Sequence, residues 1–214
     1  MFVGSRMKHP VITIGPKTSL DEALSIMAKE HIRRLPVIDH NGKLIGIVTE
    51  LELMKASPSD ATTLSVWEIK SLLSSYPVEK IMTRDVVTVK EDTPLEEAAR
   101  IMADKEISGI PVLRGTTVVG IITETDIFKA LLEVMGARDA GLRLTIEIDQ
   151  SPGKLAEVAK AIYDLGGNIL SLGSFQSEDA GTGMLVLKVD GVEEKALIDA
   201  IQPYCKKIVD VRIQ

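Results

Sequence analysis

Apolar and polar positions along the chain follow one rhythm twice. A β-branched run, "VITI", precedes "SLDEALSIMAKE", in which Leu20, Ala23, Leu24, Met27 and Ala28 recur at helical spacing. Thr18 stands before that run as a candidate N-cap, with Glu22 in the first turn. Two further strand-like runs, "LPVID" and "LIGIVT", are joined by "HNGK", whose Asn-Gly pair signals a hairpin. A second helix is predicted from Glu50. The pattern returns at an offset of 75 residues, Met82 answering to Met7, Thr93 to Thr18 and Glu97 to Glu22. A single gap between Pro-Val and Gly precedes "GIITETDIFKA", which predicts a helix from Glu124. Each copy therefore reads β-α-β-β-α. Two copies are too few for a solenoid, so a face-to-face pair is predicted.

Residues 57–79 lie between the copies (1–56 and 80–135) and open as a Ser-Pro-Asp linker. There "LSVWEIKSLL" carries Leu64, Trp67, Leu72 and Leu73 near helical spacing, predicting a bridging helix. After Gly136 the rhythm changes. "LRLTIEI" alternates cleanly, with Leu142, Leu144, Ile146 and Ile148 on one face. A helix follows with Leu155, Val158, Ile162 and Leu165 on one side. Its predicted cap is Ser151, with Pro152 at the first helical position, and Gly166-Gly167 ends it. Strands "ILSLGSF", "MLVLKV" and "IVDVRI" and the helix "VEEKALIDAIQ" complete a β-α-β-β-α-β order over 141–214, the ferredoxin-like arrangement. The fold class is α+β.

Composition narrows the function classes. The 214 residues are 45% hydrophobic and 26% charged, enough for a packed core, yet only 3% aromatic. A net charge of -6 argues against non-specific nucleic-acid binding and against an anionic membrane surface. The single cysteine, Cys205, precludes an intramolecular disulfide and suits a cytoplasmic setting. No apolar h-region or membrane-length run is present. His9, His31 and His40 lack metal spacing and are expected at the surface. No nucleophile stands with a base and no paired catalytic carboxylates are evident, so an enzyme is not expected.

The two copies resemble CBS domains, which pair into a Bateman module. The resemblance rests on the helix following Thr18 or Thr93, on the "PV" strand, and on "GIVTELE" and "GIITETD". Residues 142–214 resemble an ACT domain through "DQSPGKL" and "GGNI". The order CBS–CBS–ACT resembles the acetoin utilisation AcuB family. It implies a regulatory homo-oligomer, a dimer, tied to acetoin or short-chain carbon metabolism. Its small-molecule partner would be AMP, ADP, ATP or S-adenosylmethionine, without a further cofactor. A ligand-free oligomerisation scaffold is the alternative, with an enzyme behind it.

The residues support an adenosyl site on their own terms. Thr49 and Thr123 stand at helix starts, where unpaired backbone N–H groups favour phosphate, and each adds a hydroxyl. Glu52 and Asp126, three positions on, could accept ribose hydroxyls; the resemblance implies that role for Asp126, and Glu52 departs from it. Arg33 and Arg34 precede "LPV", where the resemblance implies phosphate contacts. As strand neighbours they would face opposite ways, so only one should meet a ligand. The second copy has Ser108 and Gly109 there, so the first copy would supply phosphate charge and the second the ribose acceptor. The strands "VITI" and "VVTV", the latter with Val87, and Ile107 are expected to line the clefts with apolar surface and backbone amides. Pro36 and Pro111 are read as structural. In the ACT part, Asp149, Ser151 and Gly153 on the first loop, with Asn168, form a candidate amino-acid site. The resemblance places that site at a dimer interface.

Overall fold

Prolines limit the first sheet of each copy. The computed structural model describes residues 1–58, 63, 65–176 and 181–213. Leu64 of the expected bridging helix, linker residues 59–62 and loop residues 177–180 lie outside the described residues. Helix α1 (Leu20–Glu30) leads to β1 (Arg34–Ile38), which pairs antiparallel with β2 (Leu44–Thr49), and α2 (Glu50–Ala56) follows. The expected strand "VITI" contributes one bridge only, Ile14 to Val37. Ile14 donates its N–H to the Pro36 carbonyl at 3.0 Å and accepts from Ile38 N–H at 2.9 Å. Extending that parallel ladder upstream needs an N–H from residue 36, and proline has none. Val11 and Ile12 therefore stay out of the sheet. Pro111 holds the same place in the second copy, where the counterpart of "VITI" shrinks to β3 (Val89–Lys90).

The second copy continues as α4 (Leu95–Lys105), β4 (Gly109–Arg114), β5 (Thr117–Thr123) and α5 (Glu124–Val134), and the predicted bridging helix between the copies is α3 (Val66–Ser75). Among its expected apolar residues, Leu73 packs on the first copy's core while Trp67 is 81% exposed. Ser65 caps α3 in a reciprocal box with Glu68. The predicted caps Thr18 and Thr93 are displaced by one residue. Ser19 caps α1, accepting from Glu22 N–H at 3.2 Å. Pro94 occupies the equivalent place before α4 without a side-chain cap. The carbonyls of Thr18 and Thr93 are engaged elsewhere: they accept from Val78 and Val3, 2.9 Å each.

Those two bonds belong to a reciprocal exchange. The segment opening each copy packs on the other. Lys8 pairs with Ile121 of β5, and Thr83 pairs with Ile47 of β2. Leu95 N–H donates to the Met1 carbonyl, and Leu20 N–H to the Tyr76 carbonyl, both at 3.0 Å. Val78 and Met82 lie in the first copy's core beside Leu20, Met27, Leu35 and Leu53. The glycine in each "GI" motif permits the approach. A Cβ on Gly120 would meet Met7 Sδ and lie 3.1 Å from the Lys8 carbonyl oxygen. A Cβ on Gly46 would lie 3.2 Å from that of Thr83.

The chain divides into Met1–Ile127 and Phe128–Gln214. The second unit holds a ferredoxin-like sheet of order β7-β8-β6-β9, built from β6 (Leu142–Asp149), β7 (Asn168–Gln176), β8 (Thr182–Asp190) and β9 (Lys207–Ile213). The alternation in β6 is borne out: Leu142, Leu144, Ile146 and Ile148 are buried with Val158 and Ile162 of α6 (Lys154–Asp164) and Leu197 of α7 (Glu194–Ile201). Leu155 and Leu165 are exposed, contrary to expectation, and the buried stripe of α6 is instead Val158, Ala161 and Ile162. Gly153, not Ser151, caps α6; its φ of 92° is one that L-residues rarely adopt. On β8, Lys188 is buried and its Nζ donates to the Gly136 carbonyl at 2.9 Å. Ser171 Oγ holds the neighbouring Met135 carbonyl at 3.0 Å. Both side chains thereby satisfy carbonyls just beyond the end of α5. Among the described residues no helix is long and apolar enough to cross a membrane.

Candidate functional site

The strand exchange brings residues of both copies around one cavity of about 270 Å³. The first copy contributes Lys8, Pro10, Val11, Ile12, His31, Ile32, Arg33 and Arg34. The second contributes Ile121, Thr123 and Thr125. Val11 and Ile12, left out of the sheet by Pro36, supply an apolar wall. Arg33 and Arg34 both line the cavity, correcting the expectation that they face opposite ways. β1 begins only at Arg34, so Arg33 sits on a bend and escapes strand alternation. His31 is the left-handed C-cap of α1, at φ 53°, and also lines the cavity, although the sequence pattern placed it as a plain surface residue.

Arg34 reaches across the copies. Its guanidinium donates to Ser108 Oγ and lies against Gly109, where a Cβ would come 2.9 Å from Arg34 Cδ. Burial, reinforced by the adjacent Arg33 charge and opposed by Glu124, lowers its pKa from the usual guanidinium value. The glycine that replaces an arginine in the second copy is thus the space that the first copy's arginine fills.

The expected hydroxyl donors are already engaged. Thr123 Oγ1 donates to Asp126 Oδ2 at 2.6 Å, and the Thr123 N–H donates to the same oxygen at 3.0 Å. Asp126 is 8% exposed and stands one turn from the cavity-lining Thr123. In the first copy Thr49 and Glu52 make a reciprocal capping box, with Thr49 Oγ1 donating to Oε2 at 2.7 Å. Thr83 Oγ1 donates to the other carboxylate oxygen of Glu52 at 2.9 Å. Both oxygens of Glu52 are therefore taken by the protein. Thr49, Glu52, Val87, Ile107 and Asp126 do not line this cavity; Ile12 and Ile32, the equivalents of Val87 and Ile107, do.

Lys8, His31 and Thr125 were missed by motif reading. Aligning the copies by charge marks Lys8 and His31 as unlike their counterparts, but does not place them at the cavity. Thr83, Glu106, Ser108 and Gly109 stand where Lys8, His31, Arg33 and Arg34 stand in the first copy. The basic side of the cavity has no counterpart in the second copy.

In the second unit, the expected ligand residues do not meet within one chain. Asp149 pairs with Thr182 at the start of β8, and Asn168 pairs with Asp190 at its end. Eight residue steps of about 3.3 Å put them about 26 Å apart. The reason is topological: α6 carries the chain back along the sheet before β7 begins. Asp149 also pairs with Lys206 at 2.8 Å. Cys205 packs against this unit's core, and burial raises its thiol pKa, away from thiolate reactivity.

Two reciprocally exchanged β-α-β-β-α copies enclosing a shared cavity define a paired CBS module. The chain belongs to the CBS-domain family, matching it over residues 3–59 and 78–133, and carries a TTHA0829-like ACT domain over 140–212. Among solved structures, the CBS pair of MJ0100 in complex with 5-methylthioadenosine and S-adenosyl-L-methionine is 34% identical over 61% of this chain and 95% of that one, with a TM-score of 0.52. An acetoin utilization protein assignment, AcuB, attaches to a Vibrio cholerae structure 28% identical over 65% of this chain and 96% of its own, TM-score 0.54. CBSX2 in complex with AMP is 28% identical over 62% of this chain and 97% of its own, TM-score 0.51. Among curated relatives, MJ1404 and L-aspartate semialdehyde sulfurtransferase, both of Methanocaldococcus jannaschii, are 31% and 37% identical over 71% and 58% of this chain. The chain spans only 37% and 22% of their lengths.

Proposed function

We propose that the protein is a non-catalytic sensor that binds an adenine nucleotide or related adenosyl ligand in the cavity between its CBS copies. The observation that carries this reading is the cross-copy lining: apolar Val11, Ile12 and Ile32 for a base, Arg33 and Arg34 for an anionic group, and Thr123, hydrogen-bonded to Asp126, on the side where a ribose would lie. The ligands of MJ0100 and CBSX2 support it. Because both copies wall the cavity, a ligand that fits one packing of the copies better than another shifts their equilibrium. On this reading the ACT domain dimerises the chain or takes an amino acid. A ligand touching both the loop of Asp149, Ser151 and Gly153 and Asn168 would have to do so across two chains. The likeness to AcuB favours a role in acetoin or other short-chain carbon metabolism.

Thermal unfolding with AMP, ADP, ATP, 5-methylthioadenosine and S-adenosylmethionine tests the reading. The midpoint should rise with ligand concentration by mass action for at least one of them. No rise with any of the five would contradict it, and turnover of ATP would overturn its non-catalytic part.

A further inference from the structure

Basic residues gather around the cavity. Lys8, His31 and Arg33 all line it, and among the described residues none pairs with a carboxylate. Arg34 adds a fourth basic group, partly balanced by Glu124. Backbone structure holds the group in place. Lys8 is fixed by reciprocal bonds with Ile121, 2.9 and 3.1 Å, and His31 by its left-handed cap position. Crowded basic groups favour an anion that neutralises them.

We propose that Lys8 and His31, with Arg33, make this cavity selective for a nucleoside with a multiply charged phosphate tail, and against sulfonium or uncharged adenosyl compounds. This rests on the adenosyl reading above and narrows it. Arginine forks and an ammonium are matched to phosphate oxygens. S-adenosylmethionine would instead bring a sulfonium cation toward the cluster, and 5-methylthioadenosine would leave it unneutralised. At the equivalent of His31 the second copy carries Glu106, so the selectivity belongs to the first copy's wall alone.

Calorimetric titration of the full chain with ADP, S-adenosylmethionine and 5-methylthioadenosine, without divalent metal, reads this out. ADP should bind at least about tenfold more tightly than either of the others, as expected from one or more charge-assisted hydrogen bonds. Lys8→Ala and His31→Ala should each weaken ADP several-fold and leave 5-methylthioadenosine unchanged. Lys8 pairs through its backbone, so its side chain can be removed without breaking the exchange. Equal or tighter binding of either non-phosphorylated compound by the unaltered chain would overturn the selectivity while leaving the adenosyl reading intact. Binding of none of the three would overturn the selectivity, and absence of AMP and ATP binding as well would overturn both.

Discussion

The two CBS copies share a frame and differ in what is mounted on it. Leu35 and Ile110 are equivalent and both fully buried; Gly46 and Gly120 admit equivalent exchanged segments. Around that frame, His31 answers to Glu106 and Arg33 to Ser108, and the hairpin tips open on Asp39 and Arg114. Repetition therefore preserves the packing positions, where volume and polarity are constrained, and leaves the cleft-facing positions open to specialise. The result is one basic cavity, with the chain's own Arg34 lodged against the second copy.

The comparison can be broken first at the frame. Leu35→Ala and Ile110→Ala should each cost about 2–5 kcal/mol, the usual range for a large core aliphatic. Denaturant unfolding should give similar losses for the two. A large loss for one and almost none for the other would mean that the copies do not share a core design.

A smaller effect should separate the acidic residues. Asp126→Ala should weaken nucleotide binding about tenfold, by loss of a charged hydrogen-bond acceptor, as measured by calorimetry. Glu52→Ala should cost about 1 kcal/mol of stability through its capping box and leave that affinity unchanged. Full affinity in Asp126→Ala would remove the ribose assignment.

The smallest difference lies at the hairpin tips. The Asp39 carboxylate accepts from the N–H groups of Lys43 and Asn41 at 2.9 and 2.8 Å, and the Lys43 bond chiefly lowers its pKa below 3.8. Its contribution to stability is complete above the ordinary Asp value and is lost as the pH falls through the lowered one. Arg114, paired with Glu91, offers no carboxylate at that place. A carboxyl titration by NMR should find Asp39 below 3.8; a value at or above it would contradict the turn geometry.

The sequence made most elements legible, because helical and alternating periods reflect burial directly: Leu20, Ala23 and Met27 face inward, as do the alternate residues of β6. The exchange of opening segments was not legible. Periodicity states which face is buried and not which edge a segment joins, and both copies offer the same "GI" edge. The same ambiguity put Val87 and Ile107 in the site, whereas Ile12, in the expected "VITI" strand, and Ile32 line it. Strand length failed for a local reason, the missing N–H of Pro36. Arg33 and Arg34 could be read from the motif, whereas Lys8 and His31 enter only once the exchange and the left-handed cap are seen.

On this reading each CBS pair equips one cavity for phosphate. A crystal structure of the chain with ADP tests it most directly. It should place the phosphates beside Lys8, His31 and Arg33, with Arg34 still against Ser108 and Gly109 or turned toward the phosphates. Phosphates bound instead beside Thr83 and Glu106, or equal occupancy of both places, would contradict it.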